Sequence, residues 1–414
     1  MRIIYLHQYF CTPQMSGGTR SYEIGKRLVE AGHKVHMVTT DTSPNANDSG
    51  WRVEEIAGMQ VHWLPVPYSN HMGFRKRVQA FSSFALKSRK YASRLPGDVV
   101  FATSTPLTIA IPAIHVAKKL SIPMVFEVRD LWPELPIAIG ALKNPLLIHA
   151  AQWLEKRAYA KSTRIVALTS RMKRMIVQHN VPTEHVSVVP NGCDVDLFDV
   201  AESEGDAFRQ QHSWLGQRPL VVYAGTMGKL NNVEYLADVA GHTMKLDADV
   251  RFAVFGGGSE EGKVRNRAEQ HRVLDRSFFM MGRTPKTQMP AILSAADMCL
   301  CLANPGKIEL ALETPNKVFD AMAASRPISL NYGGEMTDLV VSQDMGLHLD
   351  ADPAVAAASL VEKLHDKLWL REAGRRSGQT GRERFHRDLL ASRIEDTLLA
   401  ATGISKTQPT RAAA

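Results

Sequence analysis

The chain has 414 residues, too many for one ordinary hydrophobic core, which sets an expectation of two or three domains. Hydrophobic residues at 44% and charged residues at 22% exclude a disordered chain. A formal net charge of +8 points to a polyanionic partner: nucleic acid, a phospholipid surface or phosphorylated ligands.

The N-terminus, MRIIYL, lacks the pattern of a signal peptide. A first strand is expected at Arg2–Leu6 and ends at His7, either a cleft-facing group or a satisfied structural histidine. Gly17 and Gly18, in MSGGTR, then allow close backbone approach to a ligand, although a simple strand–helix turn has the same composition. The spacing is not GxGxxG, so the dinucleotide-binding fingerprint is absent. Strands follow at Lys34–Thr39 and Gln60–Leu64.

From Ile56 to Gly97 there is no acidic residue, and Arg75, Lys76, Arg77, Lys87, Arg89, Lys90 and Arg94 cluster there. Phe74, Val78, Phe81 and Ala85 fall between them at helical spacing, so Phe74–Leu95 reads as a basic amphipathic helix. It suits an anionic membrane surface, or a helix docked on a sheet with a solvated basic face. Val99–Val116 carries no formal charge, but Pro106, Pro112 and four hydroxyl residues make it a buried strand, a turn and an apolar helix rather than a span. Further strands are expected at Val99–Ala102, Met124–Val128 and Arg164–Leu168. Between them, EVRDLWPE puts Arg129 and Asp130 beside Trp132 at a strand end, a ligand-facing cluster.

Turn chemistry at Val189–Leu197 and a polar stretch at Ala201–Arg218 mark the break. The expected division is residues 1–190, residues 191–380, and a C-terminal part 381–414, whose helix over Arg382–Ala400 can pack back on the first domain before a loose tail. Asp194 and Asp196 have DxD spacing, but their turn-rich setting favours capping carboxylates over a metal site. No His, Cys or carboxylate set has metal spacing. The four cysteines, Cys11, Cys193, Cys299 and Cys301, show no disulfide framework, which fits a reducing cytoplasm.

The second half repeats the strand–turn–helix plan, with strands at Leu220–Ala224, Arg251–Phe255, Phe278–Met281, Met298–Leu302 and Ile328–Leu330. AGTMGKL places Gly228 and Lys229 after the first of these, where Lys229 can reach a diphosphate, without the spacing of a triphosphatase loop. FGGGSE is either a ligand-approaching turn or a tight connection. Arg283 either meets a base or phosphate or is a plain surface arginine. TPNKVFDAMAASRP opens a helix with Thr314, Pro315 and Asn316, then Lys317 and, one turn in, Asp320. A helix N-terminus suits a phosphate, and a carboxylate one turn further can accept from a pair of sugar hydroxyls, though an ordinary capped helix has the same look.

Taken together in their order and spacing, Gly17–Gly18 with Arg20, YSNHMGFRKRVQAFSSFAL, ATSTPL, RDLWPE, VPNGCDVDLF, YAGTMGK and TPNKVFDAMAASRP resemble glycosyltransferase family 4 over nearly the whole chain. The nearest subgroup is that of N-acetyl-fucosaminyl transferases and related surface-polysaccharide enzymes. The resemblance implies an α/β GT-B fold, two Rossmann-like parallel-sheet domains facing a cleft. It also implies retaining transfer from a nucleotide sugar, with uracil as the expected base, without metal or any cofactor beyond that co-substrate. The implied acceptor is a lipid-linked or surface saccharide, at the inner face of an anionic membrane, with no nucleic-acid partner.

By the same resemblance the donor-binding residues are Gly17, Gly18, Gly228, Arg283, Thr314, Asn316, Lys317 and Asp320, with Asp130 and Lys229 at the reacting centre. Where relatives carry an earlier glutamate, this chain has Leu312 beside Glu313, and Thr103–Ser104–Thr105 stands where many relatives carry a histidine. Three other readings stay open. A nucleotide-sugar 2-epimerase shares the fold, an oxidoreductase would need the missing GxGxxG, and a non-catalytic membrane-surface protein would fit the lost glutamate.

Overall fold

The computed structural model describes residues 1–15, 17–43, 50–68, 72–138, 140–304 and 315–405. They form two compact units, one of Met1–Thr12, Gly17–Pro190 and the chain from Asp388 on, the other of Asn191–Arg387 with the short stretch at Pro13.

The first unit is built on β1 (Arg2–Leu6), β2 (Lys34–Asp41), β3 (Arg52–Ile56), β4 (Met59–Pro65), β5 (Val99–Thr103), β6 (Met124–Val128), β7 (Arg164–Ala167) and β8 (Val186–Val188). Their order in the sheet is β3-β4-β2-β1-β5-β6-β7-β8, parallel throughout except for the β3–β4 hairpin. Apolar runs such as β5, buried at every residue, are what a parallel sheet covered by helices on both faces demands. Helix Arg20–Glu30 turns Ile24 and Leu28 into the core, and helix Arg387–Thr402 adds Leu390, Ile394 and Leu398 to the same cluster. Arg27 to Asp388 at 2.6 Å and His33 to Glu395 at 3.0 Å fasten that last helix.

Within Val99–Val116 the chain forms β5, a turn and the start of helix Ala110–Leu120. No helix among the described residues is long and apolar enough to cross a membrane. The basic helix spans Phe74–Ala92, and its buried stripe differs from the sequence reading. Ala80, Phe84, Ala85, Ser88 and Ala92 face inward, whereas Val78 is exposed and Phe81 half-buried against Tyr9 and Tyr68. The helix is therefore docked on its small-residue side, leaving Arg75, Lys76, Lys87, Arg89 and Lys90 in solvent.

The second unit carries β9 (Leu220–Ala224), β10 (Arg251–Phe255), β11 (Phe278–Gly282), β12 (Met298–Cys301), β13 (Ile328–Leu330) and β14 (Gly346–His348), all parallel, in the order β11-β10-β9-β12-β13-β14. Counted within the unit this is 3-2-1-4-5-6, the doubly wound order of a Rossmann domain. The connection reverses direction between β9 and β12, so a crevice opens outside their C-terminal ends, where ligands bind in such sheets.

The expected helix over Arg382–Ala400 is two helices, Lys367–Phe385 and Arg387–Thr402. His386 adopts an extended backbone between them, and the Cys193 N–H donates to the Phe385 carbonyl at 2.8 Å, so the chain there pairs as a short bridge.

Candidate functional site

At the C-terminal edge of the second sheet, the turns after β9, β10 and β11 nest on one another. The Gly225 N–H donates to the Phe255 carbonyl at 2.8 Å, Met227 N–H to Gly257 at 3.1 Å, and Gly256 N–H to Gly282 at 2.6 Å. A Cβ on Gly256, which has φ +132°, would lie 1.9 Å from the Gly225 carbonyl oxygen, and one on Gly258 would lie 2.3 Å from that of Met227. Only glycine lets the two backbones approach this closely.

Helix Asn316–Ala323 brings its charged residues to the same edge. The Lys317 ammonium sits 5.3 Å from the centroid of the Tyr223 ring, and a Cβ on Gly225 would be 1.9 Å from Lys317 Cε. The bare backbone of Gly225 is thus the bed on which Lys317 lies. One turn further, half-buried Asp320 has Oδ1 at 3.6 Å from Lys286 Nζ. Lys286 also pairs with Asp194, and Asp194 with Arg387, whose Nη2 donates at 2.8 Å. Val222, Met289, Leu293 and Cys299 line a small pocket together with Lys317 and Asp320.

The electrostatics separate the two carboxylates. Burial pushes the Asp320 carboxyl above its ordinary range and neighbouring Asp194 adds to this, while Lys286 opposes them. Burial acts the same way on Asp194, but Arg387 and Lys286 outweigh it and hold that carboxyl below its ordinary range. Asp194 heads the short helix Val195–Phe198 but makes no side-chain cap hydrogen bond, so the capping expectation is corrected: its oxygens pair with buried Arg387 and half-buried Lys286. Asp196 is exposed, and among the described residues no three His, Cys, Asp or Glu side chains converge on a metal-sized site.

The other expected residues of this unit are more loosely held. Arg283, exposed just past β11, flanks the Gly257 turn opposite Glu261. Lys229 is exposed, and the next residue, Leu230, accepts from Asn304 N–H at 2.9 Å, tying the turn after β9 to the loop after β12. Asn316 is exposed at the helix start, while Thr314, Glu313 and Leu312 lie outside the described residues. A Cβ on Gly228 would meet nothing closer than 3.5 Å, so glycine is sterically required against backbone at Gly256 and Gly258 rather than there, while at Gly225 a side chain would displace Lys317. The sequence reading passed over Lys286, although it stands three residues after Arg283 in the same loop.

The first unit gathers its own cluster. Thr105, at φ +134°, a conformation that strains an L-residue, donates its hydroxyl to Asp130 Oδ2 at 3.1 Å. Arg129 N–H donates to the Ser104 hydroxyl at 3.0 Å, and Arg129 Nη1 stands 3.4 Å from His7 Nε2. Burial, and then Arg129, push the His7 imidazole well below its ordinary range, so His7 is neutral near pH 7. The ends of β1, β5 and β6, where this sheet also reverses, therefore meet around Asp130. Gly17 and Gly18 are exposed in this unit, and a Cβ on Gly17 would be 2.6 Å from Cys11 Sγ.

Comparison with known proteins gives this geometry a family. Residues 17–192 match the family described as glycosyl transferase 4-like domain, and residues 218–366 the one described as glycosyl transferases group 1. WbjE of Pseudomonas aeruginosa, named as a probable glycosyltransferase, is 24% identical across 73% of this chain and 74% of its own. WcaI of Escherichia coli K12, named provisionally as a colanic acid biosynthesis glycosyl transferase, is 22% identical across 75% and 79%. The alpha-D-kanosaminyltransferase of Streptomyces kanamyceticus is 22% identical across 82% and 87%. Among solved structures, sucrose-phosphate synthase from Thermosynechococcus elongatus superposes with a TM-score of 0.76 at 16% identity, covering 98% of this chain and all of that one. Anabaena HepE, in complex with UDP and glucose, gives 0.71 at 14%, covering 97% and all of that chain. At these identities the likeness establishes the fold, that of the GT-B enzymes.

Proposed function

The chain belongs to the glycosyltransferases built from a family 4-like domain and a group 1 domain, and from that premise we propose a retaining, metal-independent transfer. A sugar passes from a UDP-sugar to a hydroxyl of a lipid-linked or surface-polysaccharide acceptor. The observation that carries this reading is Lys317 lying on the bare backbone of Gly225, one helical turn before Asp320, at the reversal of the second sheet. A UDP-bound neighbour and a relative named for colanic acid biosynthesis support the choices of donor and acceptor.

In this reading Asp320 accepts from the ribose hydroxyls, and Lys317 with Lys229 meets the diphosphate, where negative charge grows as the sugar departs. Asp130, oriented by Thr105, faces the acceptor. Isothermal calorimetry with a panel of nucleotide sugars tests the donor. Binding of UDP-sugars in preference to those of other bases is expected, and heat from none of them would remove the reading.

Metal independence predicts unchanged transfer in excess chelator. Activity lost there and restored by magnesium or manganese would overturn it.

A pH prediction follows from the raised Asp320 carboxyl. Accepting from two hydroxyls requires the ionised form, so donor affinity should weaken on acidification at a higher pH than an ordinary aspartate would give. Asp194 has the opposite sign. Its stabilisation is present above the unfolded pKa and is lost only as pH falls through its depressed folded value. UDP affinity should therefore fall while circular dichroism still reports a folded chain; coincident midpoints would contradict the assignment.

The enzyme would work as a peripheral protein on the inner face of an anionic membrane, held by the basic helix Phe74–Ala92. Each basic residue contributes about 1 kcal/mol near such a surface. Replacing Arg75, Lys76, Lys87 and Lys90 with Gln should release the protein from anionic vesicles with donor affinity unchanged. Equal binding of variant and parent would count against this docking.

A further inference from the structure

We infer that helix Pro145–Lys161 is a second membrane element, one that inserts apolar side chains into an anionic bilayer, with Leu146 and Trp153 as its anchors. The inference rests on the membrane-surface reading above but on a different helix and a different force.

Asn144 caps this helix by accepting from the N–H groups of Leu146 at 2.9 Å and Leu147 at 3.3 Å, and Pro145 occupies its first turn. Glu155, Ala158 and Tyr159 are its buried residues. The opposite face carries large apolar side chains where a solvated helix would be polar: Leu146 is 80% exposed and Trp153 58%. Positions 146, 150, 153 and 157 recur every three or four residues and so form one stripe, Leu, Ala, Trp and Arg. The Arg157 guanidinium lies 5.3 Å from the Trp153 ring centroid, which leaves the apolar tip of the stripe to Leu146 and the basic end to Arg157.

Charge selects the occupant. Lys143, Lys156, Arg157 and Lys161 are exposed, whereas the helix's one acid, Glu155, is buried and accepts from the Tyr159 hydroxyl at 3.0 Å. Burial pushes that carboxyl up to about 7, which further removes negative charge from the helix. The neighbouring helix Ala110–Leu120 packs against both this helix and the basic helix Phe74–Ala92, and exposes Lys118 and Lys119. The three packed helices thus all carry exposed cations, and the helix Pro145–Lys161 adds the apolar stripe with the most exposed leucine, Leu146. A second copy of the chain would bring the same positive charges face to face. Lipid headgroups neutralise them, and an indole flanked by cations is at home at the depth of the headgroup–acyl boundary.

The test uses the full chain with phosphatidylglycerol–phosphatidylcholine vesicles. Leu146→Gln with Trp153→Gln should lower the partition coefficient at least about tenfold. Part of the wild-type binding should survive 1 M salt, where screening reaches only about 3 Å. Lipids brominated near the headgroup end of the acyl chain should quench wild-type tryptophan emission, and Trp153→Phe should abolish that quenching while the protein still binds. Circular dichroism checks the fold of each variant, and donor affinity by calorimetry should be unchanged, which separates a failure here from a failure of the transferase reading.

Wild-type-like partitioning of the double variant overturns the insertion. So does quenching that persists in Trp153→Phe, or complete release by salt, which leaves electrostatic docking alone. No binding of the parent to these vesicles overturns both membrane readings. A dimer that becomes monomeric in the double variant, with no vesicle effect, assigns the stripe to a second copy instead.

Discussion

Lys317→Ala should lower turnover about 100- to 1000-fold, the loss seen when one preorganised group facing a developing negative charge is removed. The ammonium is fixed before substrate arrives: the Tyr223 ring lies beneath it at 5.3 Å and the Gly225 backbone alongside. Its orientation therefore requires little reordering when the diphosphate begins to leave. The fold should hardly notice, because a half-exposed cation–π contact contributes about 0.5–1 kcal/mol. Lys317→Arg should not rescue, since a planar fork needs width where a Cβ on Gly225 would already collide with the lysine chain.

Asp320→Ala supplies the contrast. It should weaken UDP-sugar affinity more than stability, because Lys286 keeps its pairing with Asp194 when Asp320 is gone. Asp320→Glu should be tolerated best, as it keeps a carboxylate to accept from the donor's hydroxyls. Steady-state kinetics beside thermal melts read both predictions. A Lys317→Ala enzyme within about threefold of the parent would remove that lysine from the leaving-group site.

The alternation of apolar runs and helical patterns in the sequence was enough to read two parallel α/β halves and most of their strands. The strands that escaped share a cause. β3, RVEEI, β8 and β14 are all edge strands and at most partly buried, so burial imposes on none of them the apolar run of a central strand, whereas the equally short β13 is buried throughout. The 3-2-1-4-5-6 order was not legible, because it depends on which strands pair and not on where they lie.

The candidate site divided in the same way. Lys317 and Asp320 stood out because a helix start displays its residues in register. The cluster of Lys286, Asp194 and Arg387 did not, since its members are separated by about a hundred residues each and converge only through the fold. Glu127 was read as a charge emerging at a strand end, yet it is 0% exposed. A carboxylate inside the run MVFEV is itself the signal of a buried partner, but nothing local names that partner as Arg20.

That buried pair gives the largest expected effect on stability. Glu127→Ala should destabilise the first unit by about 3–5 kcal/mol, the penalty for leaving one member of a buried ion pair unmatched. Arg20, 5% exposed, donates to Glu127 Oε1 from Nε at 3.0 Å and Nη2 at 2.8 Å, and Thr103 donates to Oε2 at 2.5 Å. Against a total of about 5–15 kcal/mol for a domain, such a loss should lower the melting temperature by about 6–20 °C.

Glu127→Gln should fall between alanine and the parent, keeping an acceptor for Arg20 while leaving its charge uncompensated. An apolar replacement of both partners, Arg20→Met with Glu127→Leu, should recover only part of the loss. Arg20 also donates to the carbonyls of Val189 and Pro190 at 2.9 and 2.5 Å, and these would be stranded.

Acid should reproduce the effect. Burial opposes ionisation of Glu127, but Arg20, Arg129 and Thr103 outweigh it and hold its carboxyl below the ordinary range. Its contribution is therefore present above the unfolded pKa and disappears as pH falls through the depressed folded value. The consequence reaches the candidate site, because the Glu127 carboxylate holds the Thr103 hydroxyl at 2.5 Å, and the next residue, Ser104, accepts from Arg129 N–H, next to Asp130. Glu127→Ala should thus cost activity even below its melting point. A variant melting within about 1 kcal/mol of the parent in urea, with full turnover, would show that the pair is dispensable to both fold and site.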